Sequence, residues 1–242
     1  MQKGFFQSII KFYHKPTSPT EHFILSNSNQ AVYLYLSKWP DWYGNSCIIS
    51  GEEGTGKTYL SNLWQKQTNA IKINLFNMTK KELELILQQG TAFIIDDFEQ
   101  YFSRKSLLQN LDTHDFNIEE MLIKIFDLCK HENKFLLFIT QTSITDLKIK
   151  TLDLRSRLLS ANIFSLELPD EISLKTYLIK LFSDNQLKIP VEVIKYISKH
   201  VKKSYKEIDI IANEIDNFSL EQKRNITIPL VRDVLNRRKI PT

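Results

Sequence analysis

Short apolar runs alternate with segments of helical periodicity along the first two thirds of the chain. The runs that read as strands are residues 47–49, 71–75, 91–95, 135–140 and 163–166. The first, third and fourth runs are almost uniformly apolar, which is typical of strands covered on both faces of a parallel sheet. Alternation of such strands with helices predicts an α/β fold with a five-stranded parallel sheet and flanking helices.

The pattern changes after Pro169, where the strand-like runs stop. The helical patterns beyond it cover residues 174–181, 191–201, 206–218 and 229–235. In the third pattern, Ile208, Ile211 and Ile215 fall on one stripe, the arrangement by which a small helical bundle buries its core. We therefore expect a domain boundary near Pro169.

These patterns divide the chain into three parts. Residues 1–20 contain Pro16 and Pro19, which disfavour regular structure, and we interpret this segment as an N-terminal tail with a flexible connection. Residues 21–168 form the predicted α/β base. Residues 169–242 form the predicted all-helical lid.

Residues 51–58 contain a phosphate-binding motif. Their sequence, Gly-Glu-Glu-Gly-Thr-Gly-Lys-Thr, fits the pattern G-x-x-x-x-G-K-[ST] without a mismatch. The glycines let backbone N–H groups point at a β-phosphate, while Lys57 reaches the β- and γ-phosphate oxygens and Thr58 coordinates Mg²⁺. A chance glycine-rich turn is the alternative, but three of the chain's 6 glycines lie in this loop. The residues predicted here to bind the nucleotide are Gly51, Gly54, Thr55, Gly56, Lys57, Thr58 and Tyr59.

Two adjacent carboxylates, Asp96 and Asp97, follow the third apolar run. A buried strand would deliver Asp96 to the sheet edge that carries the phosphate loop, where it can hold Mg²⁺ through water while Asp97 orients the attacking water. The alternative is a strand that ends in a solvated acidic turn. Because Asp97 is shorter than a glutamate, we expect slow intrinsic hydrolysis. After the fourth run, Thr142 is the candidate for sensing the γ-phosphate.

The composition limits the kind of protein. The 242 residues carry a formal net charge of +4, which permits contact with DNA or an acidic partner, although a lysine-rich proteome explains it equally well. The 2 cysteines are too few for a disulfide framework, and the 5 histidines show no metal-ligand spacing. No apolar run approaches the roughly 18 residues that span a bilayer. We expect a cytoplasmic protein with neither a signal peptide nor a membrane partner.

Two arginines, Arg155 and Arg157, lie on the polar side of an amphipathic pattern, and solvated helix charges are the usual explanation of such residues. With the motifs above, however, the order of elements resembles the DnaA family of AAA+ proteins over roughly residues 21–235. Besides the phosphate loop, the matching segments are Asn29-Gln30-Ala31, Trp39-Pro40, Trp42, Ile95-Asp96-Asp97, Ser156-Arg157-Leu158 and Pro169-Asp170.

This resemblance implies a P-loop AAA+ fold, with a five-stranded parallel sheet and a small all-helical lid. It implies that Arg157 is the arginine finger, which stabilises transition-state charge on a nucleotide held by a neighbouring subunit. Lys206 falls where the family has its second-sensor arginine; lysine keeps the charge but lacks the fork of donors. The implied ligand is ADP, or otherwise ATP, with Mg²⁺. Because Thr242 closely follows the lid, we expect no DNA-binding domain, and in this the chain resembles the Hda-type regulators of the family.

The tail contains a second pattern. Gln7, Ile10, Phe12 and Tyr13 match the sliding-clamp-binding peptide Q-x-x-[LIM]-x-F-[FY], whose apolar anchors enter a pocket while the glutamine amide makes hydrogen bonds at its rim. An amphipathic segment that packs on its own domain is the alternative. The position of the peptide ahead of a proline-containing linker, on a chain that resembles Hda-type regulators, favours the clamp.

These expectations combine into one functional hypothesis. The tail binds the DNA polymerase III sliding clamp, the body docks on an ATP-bound DnaA initiator, and Arg157 promotes hydrolysis of the initiator's ATP, which prevents over-initiation. DNA would be contacted only through the clamp, and homo-oligomerisation stays open. The alternatives are an initiator paralogue that binds DNA or recruits a helicase, drawing on the basic residues 237–239, and an autonomous ATPase that depends on Lys57 and Asp96.

Overall fold

The computed structural model describes residues 24–103, 117–187 and 189–238. Within them, five parallel strands form one sheet in the order β2-β3-β4-β1-β5. The strands are β1 (Ser46–Gly51), β2 (Ile71–Lys72), β3 (Ala92–Ile95), β4 (Phe135–Thr140) and β5 (Asn162–Leu166). The predicted five-stranded parallel sheet is therefore confirmed, and the strand that leads into the phosphate loop lies between β4 and β5.

Helices precede, connect and follow the strands in the described ranges. They are α1 (Gln30–Ser37), α2 (Lys57–Thr68), α3 (Lys80–Gln89), α4 (Ile118–His131), α5 (Leu152–Leu159), α6 (Glu171–Asp184), α7 (Val191–His200), α8 (Tyr205–Gln222) and α9 (Ile228–Arg238). Local signals fix several of their starts. Thr79 and Glu82 form a capping box at α3, and Asp170 caps α6 by accepting the N–H of Ser173 at 2.7 Å.

The two faces of the sheet are buried in separate hydrophobic clusters. Ile48, Phe93 and Phe138 belong to one cluster, together with residues of α3, α4 and α5. Their chain neighbours Ile49 and Ile94 belong to the other, which α1 and α2 cover. Because successive side chains of a strand point to opposite faces, a strand covered on both sides is apolar at every position. This explains why the central runs of the sequence lack alternation.

The second strand is shorter than predicted. The sequence predicts a strand over residues 71–75, whereas β2 ends at Lys72. Ile73 still donates its N–H to the sheet, but the side chain of Asn74 accepts the N–H of Phe76 at 3.1 Å, and this starts a 3₁₀ turn. The N–H of Leu75 then bonds to the hydroxyl of Tyr101 at 3.0 Å instead of to a strand. The local asparagine cap thus ends the strand early.

Helices α6–α9 share a hydrophobic cluster of their own. Leu174 and Leu178 of α6 pack there with Ile208, Ile211 and Ile215 of α8, and all of them are fully buried. The stripe seen in the sequence therefore forms the centre of this bundle. The exact division of the chain into tail, base and lid stays a prediction.

Candidate functional site

The phosphate loop connects β1 to α2 through glycines with unusual backbone geometry. Gly54 and Gly56 have φ values of +83° and +98°, a left-handed region that glycine adopts readily and other residues do not. A Cβ at Gly54 would lie 1.8 Å from Oγ of Ser204 in the lid. The absence of a side chain therefore permits the close approach of loop and lid. Gly56 is the residue before α2, so the positive end of that helix dipole borders the loop.

Lys57, at the first position of α2, is a buried cation. Its ammonium group donates hydrogen bonds to the carbonyl oxygen of Gly51 and, at 2.8 Å, to that of Glu52. Burial lowers the pKa of Lys57, and the neighbouring carboxylates of Glu99 and Asp96 oppose this shift. An ammonium group held by loop carbonyls can exchange them for phosphate oxygens, and this geometry fits a phosphate site.

Three carboxylates follow β3 at the same edge of the sheet. Asp96 accepts the N–H of Asp97 at 2.9 Å, and Asp97 has a left-handed φ of +49°. Burial raises the pKa of Asp97, and the charges of Asp96 and Glu99 raise it further. Glu99 lies in the 3₁₀ turn Phe98–Phe102 and accepts the N–H of Gln141 at 3.1 Å. Glu99 was missed by the sequence reasoning because it follows the acidic pair by two residues and belongs to no recognised pattern.

The segment after β4 reaches the site through Thr140 and Gln141. Both line the cleft described below, whereas Thr142 does not. The backbone N–H and carbonyl of Thr142 instead bond to the buried hydroxyl of Thr140 at 3.2 and 3.1 Å. The structure therefore brings Thr140 to the cleft in the place expected for Thr142, and a role of Thr142 toward a γ-phosphate stays a prediction.

The lid contacts the phosphate loop directly. The N–H of Tyr205, the first residue of α8, donates to the carbonyl oxygen of Gly54 at 2.9 Å. The next residue, Lys206, pairs with Glu53 of the loop, and this contact lowers the pKa of Glu53. Both side chains are more than half exposed, so the ion pair contributes little stability. Its effect is to place Lys206 at the mouth of the site.

Two further lid residues reach the site. The hydroxyl of Tyr177 donates to Oδ1 of Asp209 at 2.6 Å, and the ring of Tyr177 packs edge-on against Tyr205 with 5.1 Å between centroids. On the opposite side, buried Asn29 accepts the N–H of Ser26 and donates to the carbonyl of Ile24 at 2.8 Å, which fixes the segment before α1. Sequence periodicity does not reveal which lid face meets the base, so Tyr177 and Asp209 were not predicted.

Loop, sheet edge and lid enclose a cleft of about 430 Å³, within the usual range for small-molecule pockets. The predicted nucleotide-binding residues that line it are Gly54, Thr55, Gly56, Lys57, Thr58, Tyr59, Asp96 and Lys206; Asp97 also lines it. Gly51 ends β1 below the loop. The loop backbone and two lysines suit phosphate, and the hydroxyl of Thr58 and carboxylate of Asp96 are oxygen donors of the kind that Mg²⁺ prefers. The residues present therefore fit a magnesium nucleotide.

Arg157 lies outside this cleft, on α5. Its Nε donates to Asp153 on the same helix at 2.9 Å, and its Nη1 donates to Asp127 of α4. These hydrogen bonds, that to Asp153 first, raise the pKa of Arg157. The two hydrogen bonds hold the guanidinium group in one orientation, and the side chain keeps 26% of its surface exposed. Arg155, two residues earlier, is exposed.

The basic end of the lid is largely engaged within the lid itself. The guanidinium group of Arg237 lies 4.1 Å from the centre of the Phe218 ring. Arg238 pairs with Glu207 and, at 3.3 Å, with Glu214. Lys239 lies outside the described residues.

The residues predicted to bind the clamp also lie outside the described part of the chain. They are Gln7, Ile10, Phe12 and Tyr13. No helix in the described ranges is long and apolar enough to cross a membrane.

Comparisons with known proteins agree with the geometry of the site. Residues 170–235 match the family model described as Hda, lid domain. Over 251 residues the chain is 24% identical to the chromosomal replication initiator protein DnaA of Borrelia garinii subsp. bavariensis, covering 93% of this chain and 51% of that protein. The chain has an AAA+ fold, is similar to DnaA over most of its length, and resembles Hda in its lid.

Other similarities of the DnaA-like chain point the same way. It is 26% identical over 238 residues to DnaA of Buchnera aphidicola subsp. Cinara cedri, covering 90% of this chain and 52% of that protein. The chain thus spans about half the length of these curated relatives. Domain III of the Thermotoga maritima replication initiation protein DnaA matches with a TM-score of 0.74 at 17% identity, covering 94% of this chain and 100% of that one. AMPPCP-bound DnaA from Aquifex aeolicus matches with a TM-score of 0.67 at 18% identity, covering 86% of this chain and 68% of that one. At these identities the structural likeness shows the fold, and the predicted AAA+ fold is confirmed.

Proposed function

We propose that this DnaA-like chain regulates replication initiation in the manner of Hda. It holds an adenine nucleotide in its own cleft and promotes hydrolysis of the ATP bound to a DnaA-type initiator, which prevents over-initiation. The observation that carries the proposal is the position of Arg157, outside the chain's own cleft and at the surface of α5. A role in controlling chromosome replication places the protein in the cytoplasm.

Arg157 is suited to act on a nucleotide held by another subunit. Asp127 and Asp153 fix its guanidinium group, which lowers the entropy lost when the arginine engages a phosphate. An arginine finger supplied in trans stabilises charge on the transferring phosphoryl group and is worth about 10³–10⁵ in rate in GTPases. The partly exposed side chain of Arg157 is the proposed point at which a docked initiator presents its nucleotide.

The nucleotide in the chain's own cleft is proposed to be structural. AMPPCP in the related Aquifex aeolicus DnaA structure supports an adenine nucleotide, and Thr58 and Asp96 are the proposed ligands of its Mg²⁺. Lys57 and Lys206 would hold its phosphates. The bound nucleotide orders the loop and the lid that rests on it, and thereby the surface that meets the initiator. Self-association of the chain stays open.

The tail is proposed to tether this body to the sliding clamp. The supporting feature is the peptide pattern at residues 7–13, which ends before the described part of the chain begins. Contact with DNA would then be indirect. The engagement of Arg237 and Arg238 within the lid supports this, because most of the basic cluster that favoured direct DNA binding already has partners.

The test measures hydrolysis of ATP bound to the initiator in the presence of DNA-loaded clamp. Arg157→Ala should abolish the stimulation produced by the parent chain without weakening clamp binding. Arg155→Ala is the matched control, because it removes the same charge from the same helix at an exposed position. Equal stimulation by the parent and Arg157→Ala would refute the assignment, as would equal loss in both variants.

A second comparison separates the rival functions. If stimulation depends on tethering to the clamp, the parent chain should stimulate hydrolysis and Phe12→Ala should not. If neither parent nor variant stimulates hydrolysis, and the chain binds duplex DNA with a steep salt dependence, the chain is a DNA-binding module. Rapid turnover by the chain alone, lost on Lys57→Ala and Asp96→Ala, would make it an autonomous ATPase.

A further inference from the structure

Glu99 bonds to a residue of the nucleotide cleft, Gln141, and has no role in the function proposed above. It belongs to the turn Phe98–Phe102, whose aromatic residues Phe98, Tyr101 and Phe102 are all buried. These anchors fix the turn against the sheet. The half-buried carboxylate of Glu99 is therefore held in place rather than left to move freely in solvent.

One donor at the nucleotide cleft bonds to this carboxylate, and one cation there is attracted by its charge. The backbone N–H of Gln141, directly after β4, donates to Oε2 of Glu99 at 3.1 Å. The cation is Lys57, whose ammonium donates to the loop carbonyls of Gly51 and Glu52 and is also attracted by the charge of Glu99. Both Gln141 and Lys57 line the nucleotide cleft. A phosphate-loop lysine normally reaches the β- and γ-phosphate oxygens.

We propose that Glu99 is a specificity-determining residue that makes this site favour a nucleoside diphosphate over a nucleoside triphosphate. Its carboxylate occupies the N–H of Gln141, a donor available to a γ-phosphate, and its negative charge repels the third phosphate. The β-phosphate is bound by N–H groups of the loop and by Lys57 and does not need the N–H of Gln141, so Glu99 does not compete with a diphosphate for its donors.

The neighbouring acids have different geometry. Asp96 accepts the N–H of Asp97 within its own turn, and it is a proposed ligand of Mg²⁺, which would favour a triphosphate. Glu99 instead bridges from the end of β3 to the loop after β4. A terminal phosphate is expected between these two segments and Lys57. A γ-phosphate that binds there has either to displace the Glu99 carboxylate or to bind beside its negative charge.

The experiment measures equilibrium binding of ADP and of AMPPCP, at matched Mg²⁺, to the full chain by titration calorimetry. The test variant is Glu99→Gln, which keeps an oxygen acceptor for the N–H of Gln141 and removes the charge. Glu84→Gln is the control, because Glu84 is an exposed carboxylate on α3, whereas Glu99 accepts a hydrogen bond from the cleft residue Gln141. The inference rests on the proposed nucleotide-binding function, and the parent chain tests that function separately.

We expect the parent and Glu84→Gln to bind ADP more tightly than AMPPCP. Glu99→Gln should strengthen AMPPCP binding about tenfold, the size of one charge-assisted hydrogen bond, and change ADP binding less than about twofold. Equal changes for both nucleotides, or no change for either, would overturn the role of Glu99 and leave the nucleotide site standing. Failure of the parent to bind either nucleotide would overturn both proposals.

Discussion

Replacing Gly54 by alanine would test how closely the phosphate loop and the lid are apposed. The added Cβ would lie 1.8 Å from Oγ and 2.9 Å from Cβ of Ser204, so loop and lid have to move apart. That movement breaks the hydrogen bond from the N–H of Tyr205 to Gly54, worth about 0.5–1.5 kcal/mol. The left-handed φ of +83° adds about 1–2 kcal/mol for an L-residue. A less flexible unfolded chain offsets about 0.4–1 kcal/mol.

The net expectation is a decrease of about 0.5–3 kcal/mol in the free energy of unfolding. Urea unfolding followed by circular dichroism measures it, and calorimetry with ADP measures the loss of the site. The matched control is Ser204→Gly, alone and combined with Gly54→Ala. Ser204 caps α8, accepting the N–H of Glu207 at 3.4 Å, and glycine at such a position costs only a few tenths of a kcal/mol.

In the double variant, the loss of stability that comes from the clash with the Ser204 side chain should disappear. The loss that comes from the left-handed φ at position 54 should remain. We therefore expect it to be more stable than the sum of the two single changes predicts, by about 1 kcal/mol. Strict additivity would refute the described contact between Gly54 and Ser204. A Gly54→Ala variant within about 0.5 kcal/mol of the parent would refute it as well.

Three further predictions concern the nucleotide site and the core. Lys57→Ala should weaken ADP binding about 100-fold, since it removes the buried cation of the loop. Lys81→Ala, on the exposed side of α3, should leave ADP binding unchanged, and calorimetry of both variants measures the difference. The chain alone should hydrolyse ATP at less than about one turnover per second, measured as phosphate release, and faster turnover would contradict the assignment of Asp97 as a weak water-orienting group. Burial raises the pKa of Cys129 to about 12 and raises that of Cys47 further, so both thiols should stay protonated at pH 8. Both should therefore resist a thiol reagent until the chain is unfolded, and rapid labelling of the native protein would contradict their burial.

Much of the base follows from local sequence signals. The apolar runs that include Ile48, Phe93 and Phe138 predicted central strands, because burial on both faces requires apolar residues at every position. The strand over residues 71–75 was overextended because the pattern of apolar residues does not register the cap formed by Asn74. Such side-chain-to-backbone hydrogen bonds compete with strand pairing at single positions, and the hydrophobic pattern does not show which of the two forms there.

The site could be predicted only where one segment supplies its chemistry. The phosphate loop is contiguous, so Lys57 and its neighbours were found at once. Glu99, Tyr177 and Asp209 enter through the approach of separate elements, and nothing in their immediate sequence marks them. Thr142 was predicted from its position after the fourth run; the structure places Thr140 in the lining of the cleft, where its buried hydroxyl bonds to the backbone of Thr142.

The lid is joined to the loop through an amide that ordinary helix geometry leaves without a partner. The first N–H groups of a helix have no acceptor within it, and they normally exchange their protons with water freely. In α8 the first of these groups, on Tyr205, is bonded to Gly54 instead. Its deuterium uptake is therefore slow only while the two parts touch. Hydrogen exchange at this single backbone position thus reports lid opening in solution without any substitution.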